Sequence, residues 1–242
     1  MSPFTSLVQR HEREEEMDAL DLPEARYQRV LDHLARVNTV TLSRRPPLVF
    51  VRKILAAVPE GGPPLRLLDV GFGHGDLLRA IAGLAQRMRR AVTLVGVDLN
   101  PRSAGAARAA TPSALRIEWI TGDHAGLAGQ GWHLIVSSLV THHMCDAERI
   151  AFLRFMEAEA AVGWMVSDLH RRRLPFVGFP VLAALLRVDP IVRRDGQLSI
   201  ARSFRPVEWH RTLAAAGIEG ACVRRRFPWR LCVERIKSAR GP

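Results

Sequence analysis

The sequence is poor in cysteine and tyrosine, and it contains no long apolar run. Its three cysteines, Cys145, Cys222 and Cys232, have neither zinc-ligand spacing nor the even number of a disulfide framework. No stretch is apolar over the ~20 residues that a membrane-spanning helix needs. No charged region followed by an apolar stretch marks a secretion signal. We therefore expect a cytoplasmic protein without a disulfide framework, a transmembrane helix or a metal site.

Acidic residues are also fewer than basic ones. The chain has 35 Lys and Arg against 24 Asp and Glu, which gives a formal net charge of +11. An acidic partner, RNA or an anionic membrane surface would suit this charge. The arginines are scattered, however, and they interleave with aromatic residues only around residues 224–230. A GC-rich genome would explain such a composition equally well.

The chain has the size and balance of one globular α/β domain, with 242 residues of which 48% are hydrophobic. Residues 1–60 are expected to form a helical arm or cap. This part has a polar start and amphipathic helices at residues 24–37 and 48–58, the second ended by Pro59 and a Gly-Pro cluster. Residues 61–242 are expected to form the main domain.

Within the main domain, short apolar runs alternate with helical stretches, which is typical of βαβ units and a parallel sheet. The sequence thus predicts an α/β fold with a Rossmann-like, seven-stranded, mostly parallel sheet, helices on both faces, an N-terminal helical extension and a lid insertion. One strand is expected to be antiparallel, because only Phe227 and Pro228 separate the last two runs. The strands are predicted at residues 66–70, 93–98, 116–121, 132–137, 163–168, 220–226 and 229–235.

The lid insertion is predicted at residues 169–205, with an apolar helix at residues 176–186 and a polar turn around Asp195 and Gly196. Long insertions in compact domains are usually lids or binding loops. The apolar helix suggests an apolar or aromatic ligand, but it would also suit packing on the core or against a second subunit. The arginines at residues 171–173 would suit an anionic membrane surface or an acidic carrier, although such a run is more often a solvated face.

Residues 67–76, Leu-Leu-Asp-Val-Gly-Phe-Gly-His-Gly-Asp, indicate a buried strand that enters a glycine-rich turn and then a helix. Glycines allow positive φ and a close approach of a ligand to the backbone. Such a turn cradles either a pyrophosphate or an amino-acid group. A dinucleotide site needs a third small residue where the helix begins, and this chain has Asp76 there. A carboxylate is unfavourable beside a diphosphate, whereas a cationic sulfonium amino acid tolerates it.

Acidic residues also end the next two predicted strands. Asp98 ends the second strand, where a carboxylate can accept both ribose hydroxyls of a nucleoside. Asp123 follows the third strand, where it can accept a hydrogen bond from an adenine amino group. The alternative for Asp123 is a simple turn or a helix cap.

These three stretches resemble the motifs of class I S-adenosylmethionine-dependent methyltransferases, and the helix and hairpin that end the chain resemble the end of that fold. The resemblance runs from about Leu65 to the C-terminus and is nearest to the small-molecule branch that includes the ubiquinone and menaquinone biosynthesis methyltransferases. It implies S-adenosylmethionine as the cofactor. The implied cofactor contacts are Asp69, Gly71, Gly73 and Gly75 for the methionine part, Asp98 for the ribose, Leu99, Asp123 and His124 for the adenine, and in addition Ser138.

The ends of the fourth and fifth strands hold the candidate catalytic residues. Nucleic-acid amino methyltransferases carry an Asn or Asp, two prolines and an aromatic after the fourth strand. This chain does not, so no nucleic-acid partner is expected. It has His142 and His143 there, which resemble small-molecule members, and a histidine can remove a phenolic proton. Asp168 and His170 follow at the same edge, where Asp168 could orient a histidine or only anchor the lid. The paired histidines could equally cap a helix or pack near the cofactor.

The leading hypothesis is O-methylation of a small apolar or aromatic acceptor, such as a phenol, a quinol or a polyketide-like compound, with His142, His143 or His170 as the base. C-methylation of an electron-rich ring fits nearly as well. A nicotinamide-dependent oxidoreductase is disfavoured by Asp76 and by the lack of a Tyr and Lys pair, since Tyr27 is the only tyrosine. A basic RNA- or membrane-binding module without turnover is the remaining alternative. Contacts with a membrane surface or a carrier protein, and a homodimer, are considered as further partners.

Overall fold

The strands and helices succeed one another as the alternating pattern predicts. The computed structural model describes residues 7–18, 22–58 and 61–237. Its elements are α1 (Glu24–Val40), α2 (Arg45–Ala57), β1 (Leu65–Val70), α3 (Asp76–Arg87), β2 (Val92–Asp98), α4 (Pro101–Ala109), β3 (Ile117–Thr121), β4 (Leu134–Ser138), α5 (Asp146–Glu159), β5 (Gly163–Leu169), α6 (Arg173–Leu185), α7 (Pro190–Arg202), α8 (Pro206–Ala216), β6 (Cys222–Arg226) and β7 (Arg230–Ile236).

The strands form one seven-stranded sheet in the order β3-β2-β1-β4-β5-β7-β6. Strands β1 to β5 are parallel, and β7 is antiparallel to both of its neighbours. The predicted Rossmann-like sheet with one antiparallel strand is therefore confirmed. From β1 the chain first adds β2 and β3 on one side and then crosses over to add β4 and β5 on the other side. Ligands of open α/β sheets bind at the carboxyl ends of the strands at such a crossover point. Strands β1 and β4 flank that position here.

Helices cover both faces of the sheet, as predicted. Leu67 of β1 lies in a cluster with side chains of α2 and α3. Its neighbour Leu68 points to the opposite face and lies in a cluster with side chains of α5 and α8. Because the central strands β1, β4 and β5 are buried on both faces, their sequences are nearly continuous apolar runs rather than alternating ones. Each fully buried leucine stabilises the fold by roughly 1.5–3 kcal/mol.

The N-terminal helices pack on the main domain. Tyr27 and Leu31 of α1 contact Ala106 of α4, and Val30 of α1 packs with Ile191 of α7. Helix α2 packs in the same core as α3 and the sheet. The predicted boundary between residues 60 and 61 stays a prediction, and residues 1–6, 19–21, 59–60 and 238–242, Pro59 among them, lie outside the described residues.

Both N-terminal helices are longer at one end than the sequence predicts. Helix α1 continues to Val40, and α2 begins at Arg45 instead of residue 48. The prediction took Pro46 and Pro47 as the segment before the helix, but they lie in its first turn. A proline is tolerated there because the first N–H groups of a helix have no intrahelical partner.

The lid insertion consists of two helices, α6 and α7, and the predicted polar turn within it is wrong. Asp195 and Gly196 lie inside α7. The buried Asp195 carboxylate accepts hydrogen bonds from the backbone N–H groups of Glu16 and Met17 at 3.0 and 2.9 Å. A Cβ atom at Gly196 would lie 2.2 Å from the ring of Phe179 in α6. These residues thus serve helix packing, which local composition does not reveal. Across the described ranges, no helix is both long enough and apolar enough to traverse a bilayer.

Candidate active site

The glycine-rich turn between β1 and α3 needs glycine for steric reasons. Gly71, Gly73 and Gly75 all have positive φ, at 77°, 51° and 75°. A Cβ atom would lie 2.3 Å from Val140 at Gly71 and 2.4 Å from Trp119 at Gly75, whereas the space beside Gly73 is open. Other side chains therefore pack closely against the turn at Gly71 and Gly75, while the backbone at Gly73 is open to a ligand.

Asp98 fixes this turn from the end of β2. Its carboxylate accepts hydrogen bonds from the N–H of Gly73 at 2.8 Å and from the N–H of Asn100 at 2.9 Å. The predicted ribose-binding residue thus joins the first two cofactor motifs directly. A carboxylate that is fixed in this way has its remaining lone pairs oriented before a ligand arrives.

Two further carboxylates line the cavity beside the turn. Asp69 is 2% exposed and accepts no hydrogen bond from the described residues. Asp76 has a buried Oδ2 without a hydrogen-bond partner, 3.7 Å from the Nε of Arg44. Burial raises the pKa of both groups, for Asp69 well above its usual range and with help from the charges of Asp76 and Asp98. These two acceptors fit a ligand that donates from a cationic amino group, as the methionine part of S-adenosylmethionine does.

The predicted adenine contacts lie outside this cavity. Leu99 is 74% exposed and so has its apolar side chain free for contact. The Asp123 carboxylate accepts from the N–H of Ala125 at 2.9 Å and caps the short 3-10 helix His124–Leu127. The His124 ring packs edge-on against Phe152 and Phe155. The capping role considered for Asp123 is thus present, and the adenine roles of these residues stay predictions.

His142 is the centre of a buried chain of charged groups. Its Nδ1 lies 2.7 Å from Oδ1 of Asp168, and its Nε2 lies 3.5 Å from Oε1 of Glu15. Asp168 also accepts from the Thr141 hydroxyl at 2.5 Å and from the backbone N–H of His142 at 3.0 Å. Asp168 therefore orients a histidine, as the sequence suggests, and that histidine is His142.

The charges of His142, Asp168 and Glu15 stabilise one another. Burial opposes a charge on His142, but the Asp168 and Glu15 carboxylates outweigh burial and raise its pKa to about 9. Burial likewise opposes ionisation of the two acids, and contact with His142 outweighs it, so the pKa of each is lowered to about 2. At neutral pH the group is an imidazolium between two carboxylates. His142 is then a hydrogen-bond donor with no lone pair to accept a proton.

Glu15 is a site residue that sequence reasoning missed. The segment before α1 brings it over the carboxyl end of β4, where the Ser199 hydroxyl of α7 donates to its carboxylate at 2.6 Å. Arg10, from the same segment, donates to the carbonyls of His142 and Met144 at 2.8 and 2.7 Å. The only signal in the sequence is an acidic run at residues 12–16, and nothing in that run distinguishes Glu15 from its neighbours.

His143 is the accessible member of the histidine pair. Its side chain is 31% exposed, it lines the cavity, and its Nε2 lies 3.8 Å from Oε1 of Glu15. The ligand atoms of Glu15, His142 and His143 all lie within 4.8 Å of one another, so this group could also hold a metal ion. The sequence did not suggest such a group, because Glu15 is remote from the histidines along the chain.

His170 does not belong to this site. It lies in a separate cleft that it shares with Arg171, Arg172, Arg173, Leu174, Arg205, Pro206, Arg225 and Trp229. Burial and the charges of the surrounding arginines lower its pKa to about 4. The structure therefore separates the two groups that the sequence placed together at the ends of β4 and β5, and it removes His170 from the candidate bases.

A single cavity of about 450 Å³ joins the glycine turn to the histidine pair. Ser138 at the end of β4 lines it between these two parts. Its roof comes from the segment before α1, from α1 itself and from the lid helices α6 and α7. The apolar side chains among the roof residues are Met17, Leu31, Leu34, Val37, Leu174, Phe179, Leu182 and Ile200.

A comparison with protein families matches the part of the chain that carries these motifs. Residues 67–159 match the family model described as a methyltransferase domain. The match runs from β1 to the end of α5 and includes the glycine-rich turn, Asp98, Asp123 and the histidine pair. This part of the chain is therefore similar to a methyltransferase domain. The narrower resemblance to the ubiquinone and menaquinone branch stays a prediction.

Solved methyltransferase structures share this fold at low sequence identity. A putative O-methyltransferase from Nostoc punctiforme has 17% identity and a TM-score of 0.56 over 86% of this chain and 60% of that one. Human N-acetylserotonin methyltransferase in complex with the cofactor has 15% identity and a TM-score of 0.58 over 89% and 56%. Magnesium protoporphyrin IX methyltransferase from Synechocystis with the cofactor bound has 16% identity and a TM-score of 0.54 over 91% and 100%.

The chain spans less than two thirds of the Nostoc and human structures. No curated protein matches its sequence. The acceptor must therefore be inferred from the site itself.

Proposed function

We propose that this methyltransferase transfers the methyl group to a hydroxyl oxygen of an apolar or aromatic small molecule, such as a phenol, a quinol or a polyketide-like compound. The observation that carries the proposal is the continuous cavity from the glycine turn to His143. Ligand sites of this kind combine apolar walls with a few placed polar groups. The Glu15 carboxylate and the Ser199 hydroxyl lie at the histidine end of the cavity, and we assign the acceptor hydroxyl to that end.

The cofactor residues are assigned on the same geometry. Asp69 and Asp76 offer carboxylates to a cationic amino group, and Asp98 offers a fixed carboxylate to a ribose. The remaining proposed contacts are the backbone of Gly71, Gly73 and Gly75, the side chains of Leu99, Asp123 and His124, and Ser138. When bound, S-adenosylmethionine would supply an electrophilic methyl group on its sulfonium sulfur. The rest of the molecule would be the leaving group, as a neutral thioether.

His143 is the base that the geometry favours among the predicted histidines. His142 is charged at neutral pH and has both ring nitrogens directed at carboxylates. His143 reaches the cavity and lies beside the Glu15 carboxylate. It would take the acceptor O–H proton as the oxygen forms its bond to the methyl carbon and the carbon–sulfur bond breaks. Glu15 would stabilise the imidazolium that results, while His142 and Asp168 hold Glu15 in place.

The test is incubation with methyl-labelled cofactor and a panel of phenols, hydroquinones, phenolic polyketides and total RNA. We expect label in the organic extract, attached to oxygen. His143→Gln should lower kcat/KM about 100-fold or more with little change in cofactor binding, and His210→Gln, which alters an exposed histidine of α8, should have no effect. Asp98→Asn should instead weaken cofactor binding, by about tenfold or more.

The other outcomes decide between the alternatives. Label attached to a ring carbon would establish C-methylation in place of O-methylation. Label in RNA would contradict a small-molecule acceptor. Cofactor binding without transfer to any class of acceptor would support a binding module that retains the fold.

A further inference from the structure

Helix α6 has two different sides. Phe176 and Ala183 face the protein and are buried, and Phe176 packs with residues of α7. The other side carries Leu174, Val177, Val181 and Leu185, which we call the α6 face. Their spacing of three and four residues places them on one stripe about 16 Å long. All four are between 60% and 76% exposed. An apolar stripe of this size on a surface helix normally contacts another phase or another molecule.

Arginines frame both ends of the α6 face. Arg172 and Arg173 lie at its start and Arg187 follows its end, and all three are exposed. Cations at the N-terminus of a helix are unfavourable because they oppose the helix dipole. Helix stability thus does not explain Arg172 and Arg173, whereas a contact with anions does.

The cleft that contains His170 continues this basic surface. Arg172, Arg173 and Arg225 line it, and among the described residues no carboxylate pairs with these three side chains. Trp229 lies in the same cleft and is 42% exposed, and Phe227 of the same turn is also exposed. Arginine beside exposed aromatic side chains is typical of a surface that lies in the headgroup region of a bilayer.

We infer that the α6 face and the neighbouring arginine cleft dock this enzyme on the surface of an anionic phospholipid bilayer. The apolar stripe would enter the boundary between headgroups and acyl chains, while the arginines contact lipid phosphates. A second copy of the chain is a poorer occupant, because both ends of the stripe are basic and any parallel or antiparallel pairing brings like charges together.

Docking in this way would also bring the cavity to the lipid. Leu174 and Trp229 line both the cavity and the arginine cleft. An apolar acceptor dissolved in the bilayer could then reach the site without crossing water. This consequence rests on the proposed function, but the docking itself does not.

Vesicle flotation tests the docking without acceptor or cofactor, so its failure and the failure of methyl transfer are distinguishable. We expect the protein to bind vesicles that contain phosphatidylglycerol, to bind vesicles of phosphatidylcholine alone far more weakly, and to be released by salt. Trp229 gives a second signal, because the other four of the five tryptophans are buried. Its emission should shift to shorter wavelength on binding, and Trp229→Phe should abolish the shift.

Matched variants separate the two parts of the surface. Val181→Glu should weaken binding about tenfold, whereas Val207→Glu, at an exposed valine of α8, should not. Arg172→Glu combined with Arg173→Glu should weaken it at least about tenfold, whereas Arg116→Glu, near β3, should have a smaller effect. The helix dipole favours glutamate at the start of α6, so lost binding would not reflect a lost helix.

Equal binding to both kinds of vesicle, or no binding to either, would overturn the inference. So would an unchanged affinity in the Val181→Glu variant. A dimer in light scattering that Val181→Glu dissociates would show that a second copy covers the α6 face instead. Release from vesicles by RNA at equal salt would point to RNA as the occupant.

Discussion

His142 and His170 occupy similar places in the sequence and opposite electrostatic environments in the structure. His142 follows β4, His170 follows β5, and these strands are parallel neighbours. His142 lies between two carboxylates, which raise its pKa to about 9 in spite of its burial. Burial and a surrounding group of arginines lower the pKa of His170 to about 4. At neutral pH one ring is charged and the other is neutral.

The difference arises from segments that are remote in the chain. Glu15 reaches His142 from the segment before α1, while Arg205 and Arg225 reach His170 from the start of α8 and from β6. A histidine at the carboxyl end of a strand is thus a candidate for catalysis, but its partners decide its charge. Two proposed functions thus lie side by side at the carboxyl edge of the sheet. His142 lies at the proposed methyl-transfer site, and His170 lies at the proposed membrane-binding surface.

The largest effect is expected from removing the carboxylate that both orients and charges His142. Asp168→Asn leaves a buried imidazole without its main partner, and we expect the free energy of unfolding to fall by about 3–5 kcal/mol. Chemical denaturation measures this. Glu16→Gln, in an exposed surface pair with Arg194, should lower it by no more than about 1 kcal/mol. Equal losses in the two variants would show that the Asp168 contact has no special weight.

The pH dependence of stability should show the same contact. A raised pKa means that the charged His142 stabilises the folded state fully below the ordinary histidine pKa, and that this contribution is lost as pH rises through about 9. Relative to His142→Gln, the wild-type free energy of unfolding should decline by roughly 3 kcal/mol between pH 6 and 10. Parallel stability curves for the wild type and His142→Gln would contradict an elevated pKa of His142.

At the acid end, the contribution of the Asp168 and Glu15 carboxylates to the free energy of unfolding should be lost as pH falls from 4 towards 2.

The fold could be predicted from the sequence because its signals are local. Strand β1 and the turn after it combine a buried apolar run with glycines that steric contacts with Val140 and Trp119 require. The closing strand β7 could be predicted to be antiparallel, because only a short connection separates it from β6. Strand ends differ from the prediction by one or two residues, since hydrogen bonding to a neighbour decides where a strand ends.

The roof of the site could not be predicted in the same way. Asp195 resembles a turn residue by composition, yet it is buried in α7 and accepts backbone hydrogen bonds from the segment that positions Glu15. His170 looked equivalent to His142 because both follow strands at one edge. In each case the deciding partner is distant in sequence, and no local pattern encodes it. The glycine turn and the strand ends are thus predictable from local motifs, and the roof that covers them is not.

A smaller effect is expected at the far end of the His142 contact. Glu15→Gln removes one of the two carboxylates but keeps the shape and the Ser199 contact, so the free energy of unfolding should fall by about 1–3 kcal/mol. The pKa of His142, followed by NMR, should fall as well. Hydrogen exchange should increase in the segment before α1, because Glu15 ties it to the site. The neighbouring Glu14 is exposed, and Glu14→Gln should change none of these quantities.

The smallest effect should appear at His170, where burial is the first cause of the low pKa and the arginines are the second. Replacing Arg172 and Arg225 by Gln removes two charges and leaves the burial, so the pKa of His170 should rise by roughly half a unit to one unit, short of its ordinary value. Adding salt should raise the pKa of His170 in the wild type and less in the variant, because salt screens the exposed charges that the variant lacks.

The control is Arg116→Gln, which removes an exposed charge near β3 and should leave the NMR titration of His170 unchanged. A pKa that stays at about 4 in the double variant would mean that burial alone keeps His170 neutral. The arginine cleft would then exert a weaker field than its proposed contact with lipid phosphates requires.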